Sequence, residues 1–248
     1  MTFLIALWQH VRSSRTLSRI LLIVVFGGLL ASTTYQSLKQ MYNNTTWDKH
    51  GIRTVHTLEA RRCGNRSIVK IQLSRPWKIQ PGEFIYLRLL TMKSASIFQT
   101  HPFVITWWEG DNALEDNKSM EYDRNNANKA RIIYVMIDPQ HGWTRNVTSN
   151  ESAFKDQVAW LDGPFGSPYR LEEYSTVVLF ASGNGIYAQL PLLKDLATGM
   201  KASAIRTRRV KLVWQAESSN EQLQEWMHEI LSDEQLDDDV RCGWGLAL

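Results

Sequence analysis

The chain has 248 residues and a formal net charge of +3, enough length for one or two domains with a sizeable core. Its basic residues are scattered, with no basic stripe interleaved with aromatics and no zinc-finger spacing, so no nucleic acid partner is expected. Only two cysteines occur, Cys63 and Cys242, which excludes a disulfide framework and a zinc site and suits a reducing compartment.

The first element is an apolar run. From Ile20 to Leu38 no residue is charged, and Arg19 and Lys39 bracket the run. At about 1.5 Å per residue it nearly matches a hydrocarbon core of roughly 30 Å. Its second half, Ala31-Ser-Thr-Thr-Tyr-Gln-Ser37, is polar enough to suit a span that packs against neighbours. A secretory signal peptide is the competing reading, because Arg12, Arg15 and Arg19 precede the run and small residues follow it. Orientation is not decided by charge, since Lys39, Lys49, Arg53, Arg61 and Arg62 answer the first cluster from the other side. His10 stands alone near the start of this segment and reads as an interfacial residue.

Between Gly51 and Pro168 the pattern is that of short strands: Val55–Glu59, Ile68–Leu73, Phe84–Leu90, Val104–Trp108, Arg131–Ile137 and Val158–Asp162. Val69, Ile71 and Leu73 alternate with Lys70 and Gln72, as in a half-buried strand. Several such strands at short spacing predict a small antiparallel barrel. The polar stretch from Gly110 to Lys129 predicts a surface loop.

Within this region His101-Pro102-Phe103 combines an imidazole, a proline that stiffens the chain and a ring. It can present a flat apolar face to a planar ring, or it can be a strand-edge turn with Phe103 in the core. His141-Gly142-Trp143-Thr144-Arg145 follows a turn at Asp138-Pro139. As the start of a short helix its free amides would favour an anion; as a plain capped turn it would not.

Further on, Gly163-Pro164-Phe165-Gly166 precedes a buried strand, Ser175–Ala181, then the loop Ser182-Gly183-Asn184-Gly185-Ile186 and a helix over Ala188–Leu196. Strand, glycine loop and helix together let backbone amides reach a pyrophosphate. Arg209–Gln215 predicts a second strand, parallel to the first through the helical crossover, and a helix follows near Ser219–Leu231. The expected result is a two-stranded parallel remnant with open edges and an incompletely covered core.

Taken together, these segments resemble the fungal ferric reductase and NADPH oxidase superfamily. The likeness is carried by Leu73–Leu87, by Phe98-Gln-Thr-His-Pro-Phe103, by Gly142-Trp143-Thr144, by Ala181–Ile186 with Ala188-Gln-Leu-Pro191, and by Arg208–Gln215. It runs in family order from about Ile20 to Leu236. It implies a transmembrane helix (segment 1–40), then an FAD-binding β-barrel (51–168) and a partial NAD(P)-binding α/β domain (174–248), ferredoxin-reductase-like in fold.

The implied activity carries electrons from NADPH through FAD toward a haem-bearing membrane domain to reduce ferric iron or its chelate. The membrane implied is the plasma membrane, with the flavin domain on its cytosolic side. Haem b belongs to the family, but its ligands are expected on helices this chain lacks. No side chain need act as acid or nucleophile, because the cofactors carry the chemistry.

Carried across by position, the implied cofactor contacts are His101, Pro102, Phe103 and Val104 with Gly142, Trp143 and Thr144 for FAD. Gly163, Pro164 and Gly166, with Ser182, Gly183, Gly185 and Ile186, would serve the nicotinamide nucleotide. Three positions depart from the family: Val104 replaces a Ser or Thr hydroxyl, Ser182 a glycine, and Tyr187 a small residue. A catalytically silent flavoprotein or binding module, and a superoxide-generating oxidase of the same superfamily, are the alternative readings.

Overall fold

A computed structural model describes residues 16–49, 51–63, 66–89, 100–110, 129–139, 155–215, 221–231 and 240–243. The loop expected over 110–129, His10 and the Gly142–Thr144 segment therefore lie outside the described residues, apart from the loop's ends. By contacts the chain divides into two units, Met1–Asn43 and Asn44–Leu248.

The first unit is the body of one helix, α1 (Thr16–Asn44). Its stretch Ile20–Asn44 is long and apolar enough to cross a membrane, with a mean hydropathy of 1.6. Three hydroxyls of its polar half are satisfied within the helix: Thr33 and Thr34 donate to Leu30 O, and Ser37 donates to Thr33 O. Apolar surroundings therefore leave those groups no unmet hydrogen bond.

The second unit begins with Asn44, whose buried side chain bonds both the carbonyl and the amide of Leu161 at 2.7 Å. A short strand β1 (Thr45–Asp48) turns back antiparallel on β2 (Gly51–Cys63). Then come β3 (Arg66–Lys78), β4 (Phe84–Leu89), β5 (His101–Gly110), β6 (Lys129–Ile137) and β7 (Gln157–Phe165). The order β2-β3-β6-β5-β4-β7, with β7 pairing back onto β2, closes a six-stranded antiparallel barrel. All six expected strands are present, most of them longer than the apolar alternation that announced them.

Period two explains the barrel interior. Val69, Ile71 and Leu73 from β3, Ile85 and Leu87 from β4, and Val135 and Ile137 from β6 are all buried in one core. Along β5 the alternation breaks: Ile105 pairs with Val135, but Trp107 pairs with Tyr134, so Thr106 is bulged. One inserted residue reverses the faces beyond it. Trp108 joins the barrel interior while Trp107 points out, into a second core.

That second core is built by the following α/β layer. It comprises β8 (Thr176–Ser182), α2 (Ile186–Lys201), β9 (Arg209–Gln215), α3 (Glu221–Leu231) and β10 (Val240–Gly243). β8, β9 and β10 are parallel in the order β10-β9-β8. The expected two-stranded remnant is thus corrected to three strands: Cys242 and Gly243 pair in register with Leu212 and Val213. Four short residues, too few to show a period, gave no strand signal.

Leu190, Leu193 and Leu196 of α2 pack with Leu223, Trp226 and Ile230 of α3, and with Ile68, Trp107 and Tyr134 on the outside of the barrel. Barrel and α/β layer therefore share one core and form one compact unit. The opposite face of the parallel sheet is open: Val178 and Phe180 are 45% and 69% exposed.

Candidate functional site

The barrel's β5 and the start of α2 meet around a cleft of about 570 Å³, within the usual range for a bound small molecule. One wall is β5 itself. Alternation sends Phe103 inward, where it is 9% exposed and opposite Ile85, and leaves Val104 outward and 41% exposed. The flat apolar face offered to the cleft consequently comes from Pro102 and Val104, with Phe103 contributing from behind. Phe103 is at once part of the barrel core and of the cleft lining, and His101 lines the cleft beside Pro102.

Thr106, at the bulge, also lines the cleft, but its hydroxyl donates to Tyr134 O at 3.0 Å. It does not supply the free hydroxyl that Val104 lacks. Met136 and Asp138 extend the wall along β6, and Arg66 closes it from the start of β3. Ser67 pairs with Ile137, so Arg66 comes beside Asp138, and their side chains form an ion pair of 2.9 Å.

The facing wall is the turn before α2. Gly183–Gly185 forms a single 3₁₀ turn between β8 and α2. Gly183 has φ +49°, a left-handed conformation that costs side-chain-bearing residues about 1–2 kcal/mol. Its carbonyl accepts a hydrogen bond from Trp214 Nε1 at 2.8 Å, which pins the turn to β9. Asn184, Tyr187 and Ala188 reach the cleft from this turn and the first turn of α2. Ser182, Gly183, Gly185 and Ile186 build the bend without lining the cleft.

Tyr187 is 5% exposed, with its ring edge-on to Trp226 at 6.4 Å. The side chain expected to crowd the glycine loop is largely turned into the second core. Trp226 also stacks on Trp107 at 5.3 Å and meets Tyr134 edge-on at 5.2 Å. Lys194 of α2 lies 3.7 Å over the Trp107 ring and donates to Trp108 O at 2.8 Å. Burial holds its amine below the ordinary lysine range, against the opposing pull of Glu229. The Tyr134 hydroxyl donates to the Glu109 carboxylate, and burial together with that carboxylate pushes the phenol up. These contacts lock the two walls of the cleft to each other.

Gly163, Pro164 and Gly166 are not among the lining residues. They lie at the end of β7 against β4, where a Cβ on Gly163 would come 3.2 Å from Phe84 O and its φ is +133°. Glycine is needed there for backbone approach, and the neighbouring Phe165 ring packs with Phe84 and Tyr86. Gly142, Trp143 and Thr144 lie outside the described residues. Sequence reasoning missed Arg66, Thr106, Met136, Asp138 and Asn184 as parts of the cleft. Period two counted from Pro102 would have reached Val104 and Thr106; Arg66 and Asp138 needed the β3–β6 register.

A closed six-stranded antiparallel barrel, a parallel α/β layer with a glycine turn, and a cleft where the two meet define the ferredoxin-reductase-like fold. Solved structures with the same fold include a cytochrome P450 reductase from Amycolatopsis, TM-score 0.51 and 13% identity over 79% of this chain and 54% of that one. A ferredoxin reductase of carbazole 1,9a-dioxygenase matches with TM-score 0.50 and 15% identity, over 76% and 48%.

Residues 52–116 match the family described as FAD-binding domain, and residues 174–241 the family described as ferric reductase NAD binding domain. The chain therefore carries an FAD-binding domain and a ferric reductase NAD binding domain. A probable cell surface ferric reductase of Aspergillus oryzae is 32% identical over 60% of this chain and 19% of its own length. Ferric reductase transmembrane component 5 of Saccharomyces cerevisiae is 23% identical over 61% and 20%. A respiratory burst oxidase homolog of Solanum tuberosum is 24% identical over 55% and 15%. The chain spans about a fifth of the length of the curated ferric reductases it matches.

Proposed function

We propose that the chain is the flavin-reducing portion of a membrane-bound ferric reductase, taking electrons from NADPH into FAD and passing them toward a haem-bearing membrane domain and on to ferric iron or its chelate. The supporting observation is the single cleft in which the β5 wall, Pro102 to Thr106, faces the glycine turn and Asn184. An acceptor site and a donor site for hydride must be adjacent, because transfer requires reacting atoms about 3–3.5 Å apart.

FAD, when bound, supplies the two-electron to one-electron conversion. The residues present suit its parts. Pro102 and Val104 offer an apolar wall for a planar ring, Arg66 offers a cation for phosphate, and the turn at Gly183–Gly185 puts backbone at the edge of the cleft. The working division that follows is a membrane segment, 1–40, an FAD barrel, 51–168, and a nucleotide layer, 174–248. The cofactor-contact residues are then those named from the resemblance, with Gly142–Thr144 on the phosphate side. In this reading α1 crosses the plasma membrane and the flavin faces the cytosol.

One observation favours a second reading. Val104 places no hydroxyl at the cleft, so the chain could hold flavin without accepting hydride at a useful rate. The absorbance spectrum of the full chain in detergent, with and without NADPH, separates the two. A flavin band that bleaches supports the reductase, a band that persists supports a flavin-holding module, and a protein without flavin after reconstitution refutes both. Cytochrome c reduction sensitive to superoxide dismutase would reassign the acceptor from iron to oxygen.

A further inference from the structure

β5 lines the cleft with His101, Pro102, Phe103, Val104 and Thr106, and two opposite charges, Arg66 and Asp138, line it from β3 and the end of β6. Arg66 Nη2 lies 2.9 Å from Asp138 Oδ2, and the side chains are 28% and 48% exposed. Among the described residues that line the cleft, Arg66 is the one fixed cation. A guanidinium has five N–H donors in a planar fork, and this pair occupies one contact. Donors remain that match the oxygens of a phosphate, which Arg binds in bidentate fashion.

The pair's placement gives it direction. The β3–β6 register, with Ser67 opposite Ile137, sets Arg66 at the C-terminal end of β6. Pro102, Val104, Met136 and this pair line one cleft, so a dinucleotide held there has the apolar wall and the guanidinium within the same cavity. The ion pair with Asp138 restrains the guanidinium, and the carboxylate's own charge opposes an incoming anion.

We infer that Arg66 is the phosphate-binding residue of this cleft, held ready by Asp138 and shared with the phosphate of a bound dinucleotide. The inference rests on the proposed flavin and nucleotide reading, and it assigns a role outside the His-Pro-Phe and glycine segments. The phosphate is that of FAD, or the 2′-phosphate that distinguishes NADPH from NADH; both present the same oxygens to a guanidinium.

The test titrates the detergent-solubilised full chain, stripped of flavin, with FAD, riboflavin, NADP⁺ and NAD⁺. Flavin fluorescence and tryptophan quenching report binding, so no turnover is needed. Arg66→Gln is expected to weaken FAD about tenfold while leaving riboflavin, which has no phosphate, unchanged. Asp138→Asn is expected to shift FAD affinity the opposite way, because it removes a like charge. Arg66→Lys retains part of the binding.

If instead Arg66→Gln spares FAD but weakens NADP⁺ and not NAD⁺, Arg66 still binds phosphate, and the source is the nicotinamide nucleotide. Equal losses of FAD and riboflavin in both variants, or no change with any ligand in Arg66→Gln, overturn the inference in favour of a purely structural ion pair. A wild-type chain that binds FAD and NADP⁺ while Arg66→Gln binds both equally sinks only this assignment. A wild-type chain that binds neither flavin sinks the proposed function and this inference with it.

Discussion

Trp226→Ala tests the junction that holds the cleft together. Trp226 is 3% exposed on α3, an 11-residue helix whose buried face is Leu223, Trp226, Met227 and Ile230. Its ring stacks on Trp107 and meets Tyr134 and Tyr187 edge-on, so it touches the barrel and α2 at once. Truncating a buried tryptophan costs about 3–5 kcal/mol, and each aromatic pair adds about 0.5–1.5 kcal/mol beyond burial. Domains hold only about 5–15 kcal/mol in all, so the loss would be a large share of it.

Urea unfolding of the detergent-solubilised chain, followed by circular dichroism, should show a loss of about 3 kcal/mol or more. A double-mutant cycle with Trp107→Ala should return a coupling of about 1 kcal/mol, since the two rings are in contact. Hydrogen exchange should accelerate in α2 and α3 before it does in β3 or β4. A loss below about 1 kcal/mol, or strict additivity with Trp107→Ala, would refute the view that this stack joins the two walls.

Three further outcomes follow from the same structure. Gly183→Ala should destabilise the protein by about 1–2 kcal/mol and weaken NADP⁺ binding more than flavin binding, because φ +49° is closed to alanine at no cost; calorimetry and ligand titration read both effects. Val104→Thr restores a hydroxyl at the cleft, and stopped-flow bleaching by NADPH should then accelerate by about fivefold, the worth of one hydrogen bond of about 1 kcal/mol.

Lys194 gives a pH signature. Its folded pKa lies below the unfolded value, so the unfolded chain binds more protons in the window beneath that value and stability rises with pH there. Tyr134 has the opposite sign, its raised pKa removing stability above about pH 10, the ordinary tyrosine value. Lys194→Met should flatten the rise below pH 10 in urea midpoints; an unchanged slope would show that burial does not perturb the amine.

Much of the architecture was legible in residue order. Alternation in Val69–Leu73 marked a barrel strand, the uncharged run Ile20–Leu38 marked a membrane-length helix, and the order strand, glycine bend, helix at Ser175–Leu196 marked the nucleotide layer. These are local signals, because side-chain period follows directly from backbone geometry. The third parallel strand at Val240–Gly243 was not legible, since four residues carry no period.

The cleft was only half legible for a related reason. Pro102 and Val104 share a face by counting in twos, but the bulge at Thr106 reverses that count, and nothing in Ile105-Thr106-Trp107-Trp108 says which tryptophan turns outward. Arg66 and Asp138 meet because β3 and β6 pair in one register, and Tyr187 turns inward because Trp226 of a later helix receives its ring. The sequence by itself determined the elements, their kinds and their order, all of which depend on neighbours along the chain. Only the tertiary structure decided which side chains face one another across the cleft, because pairing register and packing are contacts between residues far apart in sequence.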